Sequence, residues 1–403
     1  MNSLRILIIS YYFFDSKKVG SKRWFNFAKQ LAKHNSVDVI STSDNSKCDF
    51  LNGSYRIKQK YPHILDESPK NLFQSFRYKS SLYFQKVISK GSYYDRGVNI
   101  LKRLKKLVVL LHQKNKYDVI ITTAAPFSWV NLIVDLKKNK LINKVLVFSD
   151  LRDPWTWGIG YGMKQLSKQR ISFENHQESN TILNSDKVFV PALKMQSYLN
   201  KKYKSKNLTH LPHGFDKNKI IKSLLDSKKN ESKPIQLIYA GTWYNNIDDM
   251  FNNLIESLNH LKLDFNYKIF TQSFTSKLIR NKSNKVLFKN YLKEEDMFNE
   301  IYKSDFYVLI FPYDYKDFLS AKLYEICYIG TPIIYVGSSG DVADFITKNQ
   351  FGYHVHKSNI FDFFSKIHQL KQLQPNKNIL ENYSFENLSK LIVNDINNNS
   401  KLQ

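Results

Sequence analysis

Residues 118–150 read DVIITTAAPFSWVNLIVDLKKNKLINKVLVFSD. Two apolar runs, DVIITT (118–123) and VLVFSD (145–150), bracket an amphipathic segment from Pro126 to Lys138. Runs this short, rich in Val and Ile and apolar without alternation, predict strands buried on both faces. The segment between them predicts a helix. Strand, helix and strand in that order make a unit whose strands run parallel.

The alternation continues in both directions. Leu4–Ile9 predicts a strand, followed by a loop holding Gly20, a helix from about Ser21 to His34, and a strand at VDVIST (37–42). Residues 53–116 are basic, aromatic and poor in strand signals, so they read as helical and irregular. Beyond the opening stretch come a helix over 163–184, a strand at KVFVPA (187–192) and a helix near Met195–Tyr203. The polar stretch DKNKIIKSLLDSKKNESKP (216–234) breaks the rhythm and reads as a linker. Strands then recur at IQLIYAG (235–241), FNYKIFT (265–271), KVLFKN (285–290), FYVLIF (306–311) and PIIYVG (332–337). Helices are predicted at about 248–261 and 294–303, over SAKLYEICYI, and at about Asn387–Asn397.

At 403 residues the chain exceeds one ordinary core. The expected class is α/β: two Rossmann-like, doubly wound parallel-sheet domains facing a cleft. The expected bounds are 1–212, a hinge at 213–234, 235–385, and a C-terminal helix at 386–403 that packs back on the first domain. Ligands of such sheets bind at the carboxyl ends of strands, near the point where strand order reverses.

Composition narrows the function classes. With 42% hydrophobic and 14% aromatic residues the chain is a folded protein. The net charge of +26 suits polyanionic partners such as nucleic acid, an anionic membrane face or phosphorylated substrates. Compositional drift accounts for it equally, because the lysines are scattered. Cys48 and Cys327 are far apart and in no metal-ligand spacing, which points to a reducing compartment. No apolar run is long enough to span a bilayer, and the opening MNSLRILIISYYFF reads as a strand and not a signal peptide. The expected location is cytoplasmic, with a peripheral place on the inner face of the cell membrane.

Five stretches can carry chemistry. After the first strand, Gly20 precedes a helix start with Lys22 and Arg23, where backbone N–H groups can take a phosphate or a hydroxyl; a tight-turn glycine explains it as well. SDLRDPWTWGIGYG (149–162) puts Asp150, Arg152 and Asp153 at the carboxyl end of a strand. There they can meet sugar hydroxyls while Trp155 or Trp157 covers a sugar face, or they form an ion pair that braces the loop. LPHGFD (211–216) suits a hinge, with His213 lining the cleft as the functional alternative. LIYAGTWYNNIDD (237–249) ends a strand at Gly241 and Thr242, whose backbone can face a diphosphate; Asp248 would be the next helix's N-cap, and Trp243 and Tyr244 can instead cover the sheet end. In DFLSAKLYEICYIGTPII (317–334), Lys322 and Glu325 share a helix face at i, i+3. A solvent-facing ion pair is one reading. The other uses Lys322 for a phosphate and Glu325 for a ribose diol. No Asp-x-Asp pair, GxxxxGK[ST] loop, HExxH or GxSxG elbow occurs.

Together these stretches, in order ILIISYYF…GSKRW, TTAAPFSWV, DLRDPWT, PHGFD, YAGTWY and SAKLYEICYIGTPII, resemble the family-4-like glycosyltransferases of bacterial cell-surface polysaccharide synthesis, which have the GT-B fold. The last block is the most specific. The resemblance implies transfer of a sugar from a nucleotide-diphosphate sugar to a hydroxyl of a glycan or lipid-linked glycan, with retention and without metal or other cofactor. It makes 1–212 the acceptor side and 235–385 the donor side. Asp150, Arg152, Asp153 and Lys322 become the catalytic candidates. Gly20, Arg23, Gly241, Thr242, Trp243, Asp317, Ser320, Ala321, Lys322, Leu323 and Glu325 become the donor-binding ones, with Glu325 on the ribose. Two departures stand out. Asp317 occupies the place, eight residues before Glu325, where the family has a glutamate on the donor sugar; helix capping is its alternative role. The loop GTWYNN lacks the Arg and Lys that neutralise the diphosphate in many members, so Lys322 with its helix N-terminus must do so, or Arg23 or Arg152 from across the cleft.

Contacts that select base, sugar and acceptor are expected in variable loops, notably 53–116. The expected partners are a nucleotide sugar, the glycan acceptor and an anionic membrane surface, with no nucleic acid. The same fold also serves nucleotide-sugar epimerases. A basic nucleic-acid-binding protein is the rival of another class, but it needs clustered cations with exposed aromatics.

Overall fold

The computed structural model describes residues 3–14, 19–43, 48–58, 69, 71–157, 163, 165–225, 234–243, 247–271, 284–312 and 316–400. Tyr244, Gly158, Gly160, Gly162 and residues 226–233 of the expected linker lie outside them. The chain divides into two units, Met1–Pro212 with Phe385–Gln403, and His213–Ser384.

The first unit holds β1 (Arg5–Ile9), α1 (Val19–Leu31), β2 (Ser36–Ser41), β3 (Gly53–Arg56), α2 (Leu72–Ile88), α3 (Leu101–Asn115), β4 (Val119–Thr123), α4 (Phe127–Lys138), β5 (Leu146–Asp150), α5 (Lys168–Asn184), β6 (Lys187–Val190), α6 (Leu193–Tyr203) and β7 (Leu208–His210). Its sheet is parallel throughout, in the order β3-β2-β1-β4-β5-β6-β7. Side chains alternate between the two faces of a strand, and both faces are covered here. Ile6 and Ile8 pack with Trp24 and Phe27 of α1, while Leu7 and Ile9 pack with Leu104 of α3 and Ile133 of α4. This is why β1 is apolar without alternation. The chain's last helix, Phe385–Ser400, belongs to this unit and sets Phe385, Leu388, Ile392 and Ile396 against the α1 side.

The second unit holds α7 (Lys217–Leu224), β8 (Ile235–Ala240), α8 (Asp248–His260), β9 (Phe265–Phe270), β10 (Val286–Lys289), α9 (Glu294–Tyr302), β11 (Phe306–Ile310), α10 (Ala321–Ile329), β12 (Ile333–Val336), α11 (Asp341–Lys348), β13 (Gly352–Val355) and α12 (Ile360–Ser365); the final helix is α13. Its parallel sheet runs β10-β9-β8-β11-β12-β13. Ile238 and Leu309 face α9 and α10 through Phe298 and Ile326, and Leu237 and Val308 face α8 through Phe251 and Leu254. α10 ends at Gly330, whose φ of 90° is the left-handed cap a residue without Cβ adopts most readily.

Two readings change. The stretch 216–234 is not linker throughout: its first part is α7, capped by the Asp216 carboxylate on the amides of Asn218 and Lys219, with Ile220 buried in the core beside α9 and α10. Residues 53–116 are not free of strand, since β3 pairs with β2 at the sheet edge. Strand order reverses between β1 and β4 in the first sheet and between β8 and β11 in the second. Those two points are where ligand sites form in sheets of this kind.

Candidate functional site

In the second unit the reversal point is occupied by SAKLYE and the end of β8. The Ala240 carbonyl, last in β8, accepts from Lys322 Nζ at 2.8 Å and from the Tyr307 hydroxyl at 2.6 Å. Lys322 sits in the first turn of α10, whose N-cap Ser320 accepts the Leu323 amide at 3.3 Å. A cation there opposes the helix dipole. A strand-end carbonyl holds it in place, so ammonium and helix N-terminus concentrate positive potential at one spot. Glu325 follows one turn later, half-buried.

Glu325 acts electrostatically on Lys219 of α7. Burial works against its ammonium, yet Glu294 at 2.7 Å, with Glu295 and Glu325, keeps its pKa above the ordinary lysine value. The sequence reading missed Lys219 because it took the stretch for linker. The i, i+4 spacing of Ile220 and Leu224 was the available signal.

Other residues of this group have different duties. Asp317 Oδ1 accepts the Asp341 amide at 3.1 Å, and the Lys316 carbonyl accepts that of Val342, so this strap joins the N-terminus of α11 and leaves the capping of α10 to Ser320. The Gly241 amide is committed to the Phe270 carbonyl and is not offered to a diphosphate. Thr242 is exposed, its carbonyl accepting from Tyr239. Trp243 stacks on Phe251 at 4.3 Å and donates to Asp248 at 2.5 Å, so it covers the sheet end and presents no face to a donor. Asp248 lies inside α8, whose N-cap is Ile247. Leu323 is wholly buried in the core and serves packing, whereas Ala321 is half-buried at the helix start. His213, also half-buried, opens the second unit.

In the first unit the structure reassigns Asp150 and Arg23. Asp150, wholly buried at the end of β5, accepts from Arg23 Nε at 3.1 Å and Nη2 at 3.0 Å, from Trp24 Nε1 at 2.6 Å and from Thr123 Oγ1 at 3.0 Å. The guanidinium, itself buried, also donates to the carbonyls of Leu211 and Pro212. A carboxylate and an arginine satisfied this fully brace β5 against α1 and the chain beyond β7; neither is placed to bind a donor or move a proton. Gly20 lies in the first turn of α1, not before it, and its carbonyl accepts from the Arg152 guanidinium, the group that a Cβ on Gly20 would push aside. Arg152 also pairs with the partly exposed Asp153 at 3.0 Å. Trp155 is core, stacked on Phe127 at 4.7 Å, and cannot cover a sugar; Trp157 is half-buried, its ring 6.1 Å from Tyr198.

Two buried acids of α5, absent from the sequence reading, hold this loop. Glu174 accepts from Trp155 Nε1 at 2.6 Å and Glu178 from the Thr156 amide and hydroxyl. Burial pushes the Glu174 carboxyl up, although Ser92 and Trp155 donate to it.

A cavity of about 340 Å³ opens where the first sheet's order reverses. Tyr11 and Tyr12 follow β1, Phe127 follows β4, and Arg152 follows β5; Tyr78, Tyr94, Asp95 and Arg96 close it from the segment read as irregular. Arg96 donates to the Tyr12 hydroxyl at 3.1 Å. Asp95 accepts from Ser128 N and Oγ, each at 2.8 Å, and from the Gly97 amide; burial still raises its pKa. Aromatic walls with two guanidiniums and a carboxyl suit a sugar bearing an anionic group. Among the described residues no group of three or more His, Cys, Asp or Glu is arranged to hold a metal ion, and no helix is long and apolar enough to cross a membrane.

No protein-family model and no curated protein matches the sequence. Solved structures do. A glycosyltransferase from Rickettsia africae ESF-5 superposes with a TM-score of 0.64 at 13% identity, over 100% of both chains. The alpha,alpha-trehalose-phosphate synthase (UDP-forming) of Burkholderia vietnamiensis gives 0.66 at 8% identity, also over 100% of both. The UDP-GlcNAc 2-epimerase of Neisseria meningitidis, solved bound to UDP-GlcNAc, gives 0.53 at 12% identity over 98% of this chain and 99% of that one. At such identities the likeness establishes the fold: two parallel-sheet α/β domains of the GT-B glycosyltransferase architecture.

Proposed function

We propose that the protein transfers a sugar from a nucleotide-diphosphate sugar to a hydroxyl of a glycan or lipid-linked glycan. The observation that carries this reading is the Lys322 ammonium fixed on the Ala240 carbonyl at the reversal point of the second sheet, one turn ahead of Glu325. Lys322 and the α10 N-terminus would face the diphosphate, and Glu325 would accept hydrogen bonds from the ribose diol. As the sugar–oxygen bond breaks, negative charge grows on the leaving diphosphate and is met by groups already in place. This supplies the neutralisation without asking for a metal. Retention at the anomeric carbon and a cytoplasmic location belong to the same reading. The first-sheet cavity is its acceptor side, with Arg96 and Arg152 as anion contacts and the tyrosines as sugar platforms.

Glu325→Ala tests it. We expect loss of transfer with an unchanged melting temperature, and loss of the stabilisation that a bound nucleotide sugar gives the wild type by mass action. Full activity in that variant removes the centre of the proposal. Uridine diphosphate sugars come first in the screen, because the epimerase noted above binds one. The epimerase reading is kept as second, favoured by that likeness. Incubation of a nucleotide sugar without acceptor separates the two: conversion to an epimer supports the second and defeats the first.

A further inference from the structure

Helix α2 is built inside out. Its inward face carries Gln74, Tyr78, Ser81 and Gln85, at i, i+4, i+7 and i+11, and Gln85 is its buried residue. The outward face carries Leu72, Phe76, Tyr83 and Val87, exposed by 92, 71, 71 and 68%, with Phe73 and Phe84 beside them. A helix of a soluble domain buries its apolar stripe and wets its polar one; a contiguous exposed apolar face marks an interaction surface. The helix is nevertheless firmly set. Asn71 caps it through the Gln74 amide at 2.8 Å, and Arg170 of α5 donates to the carbonyls of Lys86, Ser89 and Gly91 at its far end.

Charge identifies the occupant. From Ser68 to Tyr94 the chain has no Asp or Glu, but it has Lys70, Arg77, Lys79, Lys86 and Lys90. At 3.6 residues per turn, Lys79 and Lys86 fall on one flank of the apolar stripe and Arg77 on the other. Apolar centre, aromatic content and cationic margins are the arrangement of a helix lying in the plane of an anionic bilayer, rings among the acyl chains and cations among the headgroups. We propose that α2 docks this protein on an anionic phospholipid surface. Because Tyr78 on the inward face lines the first-sheet cavity, docking sets that cavity next to the headgroups, where a lipid-linked acceptor would be presented.

The test needs no substrate, so it stands or falls apart from the catalytic reading. The full chain is sedimented with vesicles of phosphatidylcholine alone and of equal parts phosphatidylcholine and phosphatidylglycerol. The wild type should pellet with the anionic vesicles and stay in solution with the neutral ones. Phe76→Ser/Tyr83→Ser and Lys79→Glu/Lys86→Glu should each weaken partition by about tenfold or more. Their melting temperatures should not change, since the altered side chains are exposed. A wild type that ignores anionic vesicles overturns the proposal, as do apolar-face variants that bind like wild type. So does a wild-type dimer that Phe76→Ser/Tyr83→Ser dissociates without affecting vesicle binding, because the face then belongs to a second copy.

Discussion

Replacing Asp150 by Asn is the sharpest test of the reassignment made in the first unit. The substitution keeps the shape of the side chain but removes its charge and turns one acceptor oxygen into a donor. Asp150 accepts four side-chain hydrogen bonds, two of them from the Arg23 guanidinium. Whichever way the amide is turned, its NH2 group meets N–H donors. Arg23, 5% exposed, is left as a buried charge without its counterion. Breaking a buried pair in this way costs about 3–5 kcal/mol. For a unit of roughly this size, each kcal/mol lowers the melting temperature by about 2–4 °C, so the expected drop is about 6–20 °C. Four of the five tryptophans, Trp24, Trp129, Trp155 and Trp157, lie in the first unit. Tryptophan fluorescence during heating therefore reports on that unit. Arg23→Met/Asp150→Leu should recover part of the loss, because a buried ion pair replaced as a whole by apolar groups is tolerated better than half of one. An Asp150→Asn protein that melts like wild type yet has lost transfer would refute the bracing role and return Asp150 to the chemistry.

Lys322→Ala should weaken nucleoside-diphosphate binding by about tenfold and leave the bare nucleoside nearly unaffected, read by calorimetric titration of both; equal losses would deny the lysine a phosphate. Arg96→Ala should raise KM for an anionic acceptor and leave nucleotide-sugar binding as it is; an unchanged acceptor KM would place the acceptor elsewhere. Burial raises the Asp95 pKa above its unfolded value of about 4. Such a group stabilises the fold in its protonated form, so its contribution is present below the unfolded pKa and lost as pH rises through the folded one. Asp95→Asn does not titrate, and its urea midpoint relative to wild type should improve between about pH 4 and pH 7; a gap moving the other way would contradict the assignment.

The central strands were legible because both of their faces are covered. Ile6 to Ile9 need no polar residue, and neither do Tyr307 to Ile310. Three of the four edge strands were not. GSYR (β3), LTH (β7) and GYHV (β13) pair on one side only and carry the polarity of a half-wet ribbon, which sequence alone does not separate from loop. The SAKLYE block was legible as a site because a lysine in a first helical turn and a glutamate one turn on are local facts. Asp150 was misread for the opposite reason. Its place at a strand's carboxyl end is where sites form, but its partner Arg23 is 127 residues away in sequence. Burial of both groups shows only once the sheet is assembled. The first-sheet cavity was hidden likewise, its residues drawn from four separate stretches.

Two lysines, Lys219 and Lys322, are the candidate sources of positive charge at the second unit's site. The β8 loop, GTW in its described part, supplies no cation, and Arg23 is committed in the other unit. Lys219 looks like the replacement, since α7 brings it to Glu325. It is no surplus charge, however. Glu294 holds its ammonium at 2.7 Å, and Glu295 and Glu325 act on it as well, three carboxylates around one lysine. A diphosphate approaching Lys219 would have to displace Glu294 and would meet net negative charge. Lys322 stands on the Ala240 carbonyl, where its ammonium can face an incoming anion. The α10 N-terminus adds to it in the same direction. A lysine that opposes its own helix thus puts ammonium and helix N-terminus at one point beside the end of β8, the arrangement a leaving diphosphate requires.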